Sequence, residues 1–444
     1  MVSLNEIVRQ VDAHVWGWPL ICFVLLVGIV LTVVTRFAQF RYFFSAWHYV
    51  FVPQKGEEGK EYITPFQAFL NMLNASIGNG SMAGMAVAVV MGGPGAGFWI
   101  ILLGFLYMII RFAEVYLSST IHEEVEPGVI RGGPMIYLKK LPGGAVLAYV
   151  YAFFLLALGL ITGNGMQGNS ISLAVNRLTG IPPIYIAICL FVLVLYMMLG
   201  GARRIIWFSE IIVPVKVGLF FTATLGVLLY HYKAIIPALK LIVQSAVTPW
   251  AVAGGIVGFS IHQSLRYGMQ LTVNATEAGL GTAGIFAGSI RSKTPVENSI
   301  MSMVSAFVSN TLVCFMLIVI MVASGVWNSG LVSTQLTSAA YESVFGVFGG
   351  AVVAFLSISF GLGVLVAYAY IGRESWRYLT HGRWSHAFTV MYSAVAFLGT
   401  LSTVDLIWNM TGIINAGLII ANLLGILYLT PLVKTGLAKW EKGQ

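Results

Sequence analysis

Charge is what this sequence has least of. Of its 444 residues only 9% are Asp, Glu, Lys or Arg, and 58% are hydrophobic. Soluble domains carry about 25% charged residues, so this scarcity excludes one. Apolar runs of this length suit membrane-spanning helices better than barrel strands. Cysteine is nearly absent too: Cys22, Cys189 and Cys314 all lie in apolar runs, and no disulfide framework is readable. The seven histidines are scattered, and His122-Glu123-Glu124 lacks the second histidine of a zinc-protease helix. No phosphate loop, Cys/His cluster or nucleophile elbow is visible, so neither an enzyme nor a cofactor is expected. The longest polar segment, residues 36–64, is too short for the soluble domain that a receptor or assembly subunit would need. No short apolar core with a small-residue cleavage site marks a signal peptide, because the first apolar run is a full span.

What is present is a series of long apolar stretches. Residues 1–15 read as an amphipathic interfacial segment, with Leu4, Ile7, Val8 and Val11 set against Asn5, Glu6, Arg9 and Gln10. Residues 16–36 are a first span with Trp16 and Trp18 as interface anchors, and 37–64 a cytoplasmic segment. Further spans are expected near 65–91, 95–121, 146–176, 183–200, 207–230, 248–287, 297–325, 344–372, 386–402 and 406–432, before a cytoplasmic tail at 433–444. That makes eleven. Seventeen Lys and Arg fall on the side that holds residues 36–64, and only Arg9, Arg177, Lys233 and Lys240 on the other. The asymmetry predicts an extracellular N-terminus and a cytoplasmic C-terminus in a multi-pass protein of the cell membrane. It also assigns the net charge of +8 to anionic lipid headgroups instead of nucleic acid.

Residues 62–110 contain no Asp, Glu, Lys or Arg, yet their middle reads Asn74-Ala75-Ser76-Ile77-Gly78-Asn79-Gly80-Ser81. Glycine costs about 1 kcal/mol per helix position relative to Ala. Backbone freed from a helix at membrane depth is tolerated only where protein buries it or it lines a cavity. The alternative is a glycine-rich face packed on a neighbouring helix. After the first span the other ten divide into two sets of five of opposite topology, 65–231 and 246–432. The first helix of the second set is expected to break around 266–275 and again at Gly279 and Gly281. Interrupted helices in corresponding positions of two halves point to an inverted-repeat transporter with its site between them.

The motifs Gly92-Gly93-Pro94-Gly95-Ala96, Phe98-Trp99, Phe112-Ala113-Glu114-Val115, Gly132-Gly133-Pro134-Met135 and Glu277-Ala278-Gly279-Leu280-Gly281 resemble those of the alanine or glycine:cation symporter family. Gln167, Asn169-Ser170, Val213-Pro214, Trp408-Asn409 and Asn422-Leu423 with Gly425 also match family positions, and the resemblance runs from about residue 16 to 432. It implies an all-α, LeuT-type 5+5 inverted repeat with one extra N-terminal helix, and sodium-driven uptake of small neutral amino acids. Two departures stand out. The family's Ile-Gly-Thr-Gly-Asn is here Ile77-Gly78-Asn79-Gly80-Ser81, and a bulky aromatic of the family is here Asn274, which implies tolerance of side chains such as those of serine or threonine.

Ser76, Gly78, Asn79 and Gly80 would leave backbone amides aimed at a substrate carboxylate, with the positive end of a half-helix behind them. Asn74 and Asn79 carry amide oxygens suited to a hard cation. Gly268 and Thr272 would offer carbonyls to an amino group from the second broken helix, with Asn274 beside them. Gln167 and Asn169 are polar on an apolar span, as ligands or as an interhelical hydrogen bond. Glu114, three residues after Arg111, and Glu277 read as structural carboxylates, the latter capping a half-helix or pairing with Arg266.

The ion-coupling candidates are Lys216, Asn74, Asn310 and Gly363. Family members carry a Ser-Thr pair on the eighth core helix; alignment on Tyr370-Ile371-Gly372 puts Gly363-Val364 there, without hydroxyls, whereas Ser357 and Ser359 lie a turn or more earlier. Lys216 sits among apolar residues two positions after Pro214. Two readings stand: an ammonium that replaces sodium, as in some proton-coupled relatives of the fold, or a lysine snorkelling to the cytoplasmic edge. The chain is thus expected to be a monomeric symporter of alanine-like substrates coupled to sodium or protons. The alternative is an uncoupled facilitator or channel.

Overall fold

A computed structural model describes residues 3–51, 73, 76–126, 129–200, 202–248, 250–251, 258–259, 261–288 and 295–443, almost all of them helical. Helix α1 (Leu4–Val15) leads into α2 (Trp18–Val34), and α3 (Phe43–Phe51) follows. Helices α4 (Asn79–Gly92) and α5 (Ala96–Thr120) precede a short hairpin, His122–Glu126 against Val129–Gly132. Then come α6 (Gly144–Thr179), α7 (Pro183–Gly200), α8 (Ala202–Tyr230) and α9 (Tyr232–Val247). The second half holds α10 (Ile261–Thr276), α11 (Thr282–Gly288), α12 (Pro295–Ala323), α13 (Ser333–Phe345), α14 (Val347–Thr380), α15 (Ser385–Leu401) and α16 (Val404–Gly443). Among the described residues α5, α6, α12, α14 and α16 are each long and apolar enough to cross a bilayer. Helices α7, α8 and α16 turn large apolar side chains outward, Val192, Leu199, Leu229 and Leu432 among them, as a lipid-facing wall requires.

Three features depart from the sequence expectation. The segment expected to be helical from 248 instead pairs Trp250–Ala251 with Gly258–Phe259, and its helix starts at Ile261. Helix α10 then runs unbroken through 266–275, and the interruption falls only at 277–281. Two helices outside the expected spans, α9 and α13, are present, α9 turning 94° away from α8 at His231. Neither α9 nor α13 is an uninterrupted apolar run, which is what a span-length window detects.

Helices α4 and α10 occupy the centre. In α4 every residue except Val90 and Met91 is buried, and in α10 everything from Ser264 to Thr276 is buried. A helix covered all round needs small residues where others cross it. Gly84 fills that need in α4, with Trp408 and Leu271 against its bare face. Helix α10 lies on both α4 and α5, while α6 and α14 pack together on the far side.

The N-terminal helix is amphipathic in an inverted sense. Leu4, Ile7 and Val11 point outward and are exposed, while Asp12 is fully buried against the protein. Asp12 forms an ion pair with Arg266 of α10 and accepts a hydrogen bond from Gln270 Nε2 at 3.1 Å. Trp16 Nε1 donates to the Gly412 carbonyl of α16 at 2.9 Å. Any side chain at Gly412 would collide with the Asp12 carboxylate and the Gln270 amide. The apolar face meets lipid, and the one buried carboxylate is spent on the bundle.

Removing one member of a buried ion pair typically costs 3–5 kcal/mol, because the survivor is left desolvated. Asp12→Ala should therefore lower the thermal unfolding temperature of the detergent-solubilised protein, and adding Arg266→Met should recover much of the loss. A single variant that melts like wild type would show that the pair contributes nothing.

Candidate substrate and ion site

The first break lies at Ile77 and Gly78. Ile77 N donates to Leu73 O at 2.7 Å, a bond spanning four residues. Gly78 is extended (φ −134°, ψ −166°), and its carbonyl accepts from Ser81 N at 3.0 Å and Met82 N at 3.3 Å as α4 begins. The N–H groups of Asn79 and Gly80 open α4 with no helical acceptor, at the positive end of the peptide dipoles. Both glycines are required by space. A Cβ on Gly78 would stand 2.5 Å from Val364 Cγ2 and 3.8 Å from Gln167 Oε1; one on Gly80 would stand 3.0 Å from the Asn274 carbonyl oxygen. The break therefore has Gln167 of α6, Asn274 of α10 and Val364 of α14 as its walls.

Gln167 follows a π-helical turn at Ile161–Gly165, the wider coil that often marks functional sites in helices. Its Nε2 donates to Thr162 O at 3.1 Å, and its Oε1 is buried with no partner. The Thr162 hydroxyl reaches Thr411 Oγ1 of α16 at 3.3 Å. One turn further along α16, Asn415 Nδ2 donates to Asn274 Oδ1 at 2.6 Å. Asn274 Nδ2 and Asn415 Oδ1 are left without partners. Buried unsatisfied polar groups cost about 1–3 kcal/mol each, so a cluster of them facing one break is a cost that ligand binding would remove.

Asn79 is used differently from the sequence expectation. Its Oδ1 accepts from Ser357 Oγ at 2.9 Å and its Nδ2 donates to the Ser357 carbonyl at 3.0 Å, so the side chain ties α4 to α14 and only its backbone faces the break. On α14, Ser357, Phe360, Gly361 and Val364 share one face by helical spacing. The ammonium of Lys216, which is buried, lies 5.1 Å from the centre of the Phe360 ring. Lys216 thus lies against α14 at Phe360. Gly363 is buried beside Val364.

Other candidates lie elsewhere. Gly268 packs its bare side on Trp99 and the Ala96 carbonyl of α5, and its own carbonyl accepts the Thr272 hydroxyl at 2.7 Å. The Thr272 carbonyl likewise accepts from Thr276 at 2.8 Å. Because α10 is continuous there, neither carbonyl is freed for a ligand, which corrects that expectation. Asn310, in a π-helical turn at Val308–Cys314, donates to the Ile100 carbonyl at 2.7 Å and locks α12 to α5. Asn169 Nδ2 donates to Ser402 O at 2.7 Å and joins α6 to the end of α15. Ser76 is buried at the end of the turn before the break, and Asn74 lies outside the described residues.

The second break is closed. Glu277, Gly279 and Gly281 all have positive φ (54°, 88° and 81°), backbone that glycine adopts freely and glutamate rarely. Glu277 accepts from Tyr368 at 2.7 Å and Thr282 at 2.8 Å. Glu114 Oε1 accepts from Gly281 N at 3.0 Å and Asn422 Nδ2 at 2.6 Å, and Tyr151 donates to the Leu280 carbonyl at 2.6 Å. Glu277 therefore caps its own break, while Arg266 belongs to Asp12. Glu114 anchors backbone and shows no ion pair with Arg111 among the described residues. Ser357, Asn415, Thr162, Thr411 and Tyr368 were not foreseen as site residues. The spacing of Trp408, Asn415 and Asn422, seven apart on one helix face, was the sequence signal that could have found Asn415.

Comparison with known proteins bears on the family and the fold. The profile of the sodium:alanine symporter family matches residues 1–444. An uncharacterized transporter of Haemophilus influenzae is 31% identical over 97% of this chain and 95% of its own. The sodium/alanine symporter AgcS of Methanococcus maripaludis is 30% identical over 96% and 95%. Among solved structures, a manganese transporter of Eremococcus coleocola superposes with a TM-score of 0.53 at 14% identity, over 85% of this chain and 82% of that one, a likeness of fold alone.

The steric requirement at Gly78 is testable. Gly78→Ala should weaken substrate binding at least about tenfold, since the methyl must displace Val364 or the amides beside it. Val364→Ala in the same chain should restore part of the loss by opening that space. Titration of both proteins with alanine decides it, and unchanged affinity in the single variant would place the binding site elsewhere.

Proposed function

Because this chain belongs to the sodium:alanine symporter family, a family of multi-pass membrane transporters and not of enzymes, we propose that it takes up small neutral amino acids such as alanine or glycine by alternating access around the first break. The observation that carries this is the opening of α4 at Asn79 and Gly80. The N–H groups of Asn79 and Gly80, which have no acceptor within their own helix, suit a substrate carboxylate, and the unpartnered Gln167 Oε1 nearby suits an ammonium. A zwitterion needs both. The proposal takes the chain as eleven spans in a 5+5 inverted repeat, N-terminus outside and C-terminus in the cytoplasm, acting as a monomer.

We read Lys216 as a tethered cation at the seam between α4 and α14, where the resemblance implies a sodium ion. Its position over the Phe360 ring, on the face that carries Ser357 and its bond to Asn79, supports this against a snorkelling role. A cation above an aromatic face gains up to about 2 kcal/mol when desolvated, part of what burial of the ammonium costs. A lysine in place of sodium would leave protons as the coupling ion at this position.

Uptake by purified protein in liposomes, with sodium and proton gradients imposed separately, tests the coupling. Lys216→Ala should make substrate binding newly responsive to sodium or abolish the response to a proton gradient. Strict sodium dependence in wild type, unchanged in the variant, would rule out the tethered cation. Uptake without counterflow stimulation would instead favour an uncoupled pore.

A further inference from the structure

We propose that Asn274 and Asn415 form a side-chain subsite that selects amino acids bearing a primary carboxamide, L-asparagine and L-glutamine. This rests on the amino-acid transport reading above and names the substrate class for it. The two amides stand on different helices, α10 and α16, and share one hydrogen bond, Asn415 Nδ2 donating to Asn274 Oδ1 at 2.6 Å. Both side chains are at least nine-tenths buried. After that bond Asn274 keeps an NH2 group and Asn415 keeps a carbonyl oxygen, and neither has a partner.

The result does not depend on how either amide is turned. Any two carboxamides that share a single N–H···O bond leave one NH2 and one C=O behind. Each leftover atom is bonded to the same carbon as an atom of the shared bond, so both lie within an amide's width of it. Residue 274 adjoins the first break, because the Asn274 backbone carbonyl oxygen lies 3.0 Å from where a side chain on Gly80 would begin. On the α16 side, the Thr162 and Thr411 hydroxyls meet one turn before Asn415.

One side chain that can meet both a free donor and a free acceptor is a third amide, its carbonyl accepting from Asn274 and its NH2 donating to Asn415. A hydroxyl must serve both through one atom. A carboxylate meets the donor but turns its charge on the Asn415 carbonyl, and an alkyl group meets neither. Sites built to hydrogen-bond a substrate group reject analogues that lack it far more strongly than apolar pockets reject extra bulk. The backbone end of the substrate stays at Asn79, Gly80 and Gln167, so side-chain selection and main-chain capture use separate groups.

Direct calorimetric titration of the wild-type protein with L-alanine, L-asparagine, L-glutamine, L-leucine, L-methionine and L-aspartate tests this. Asparagine should bind at least about tenfold more tightly than its isosteres leucine and aspartate, and glutamine should exceed methionine similarly. In Asn274→Leu and in Asn415→Leu the asparagine-to-leucine ratio should fall toward one. Alanine binding in wild type with no preference for asparagine over leucine would overturn the subsite. So would a ratio unchanged in either variant that elutes as folded protein. If none of the neutral amino acids binds, the transport reading itself fails, a result distinct from binding without carboxamide preference.

Discussion

Backbone that leaves a helix at membrane depth must find its hydrogen-bond partners in the protein, and the centre of this molecule is arranged around that constraint. Both half-helices, α4 and α10, are buried on nearly every side, so nothing but neighbouring side chains can meet the groups their interruptions release. Around the second break those partners come from four other helices. Glu114 of α5, Tyr151 of α6, Tyr368 of α14 and Asn422 of α16 converge on five residues of chain. The apolar character of the rest of each helix is what makes these few polar residues so effective, since no water competes for them.

The two breaks are unequal. The one at 277–281 has the Glu277 carboxylate and the Gly279 and Leu280 carbonyls engaged, and its positive-φ residues are held by that network, although Glu114 Oε2 beside it has no partner. The one at Ile77 and Gly78 faces unpartnered atoms on Gln167, Asn274 and Asn415 instead. A satisfied break holds a shape; an unsatisfied one has affinity to offer. Asn79 belongs to the first category although it lies beside the second, because its whole side chain is committed to Ser357. That bond ties the opening of α4 to α14, so a movement of one helix carries the other.

Charge follows the same economy. Asp12 and Arg266 neutralise each other where the N-terminal helix meets α10, and Gly412 keeps the space their contact needs. Arg177 and Glu342 pair between α6 and α13, part exposed, where screening leaves such a bridge worth little. Glu277 accepts hydrogen bonds on both carboxylate oxygens, and Glu114 accepts two on Oε1. Lys216 is also buried, its ammonium 5.1 Å from the centre of the Phe360 ring of α14.

Local pattern by itself determined the class of this protein, because the scarcity of charge and the length of apolar runs leave a chain no other place than a membrane. It also marked the first break, since Gly78 and Gly80 inside an uncharged run oppose helix on local grounds alone. The same logic misplaced the second. The polar residues from Arg266 to Asn274 read as an interruption, yet they form an unbroken helix whose polar side chains are met by Asp12, Asn415 and back-bonding threonines. Tertiary structure alone decided that Asp12 faces inward, that Asn79 serves α14, and that Gly268 packs on α5. Each of these turns on which residues, distant in the chain, share a buried space, and in a bundle this apolar a polar side chain goes wherever the nearest partner is.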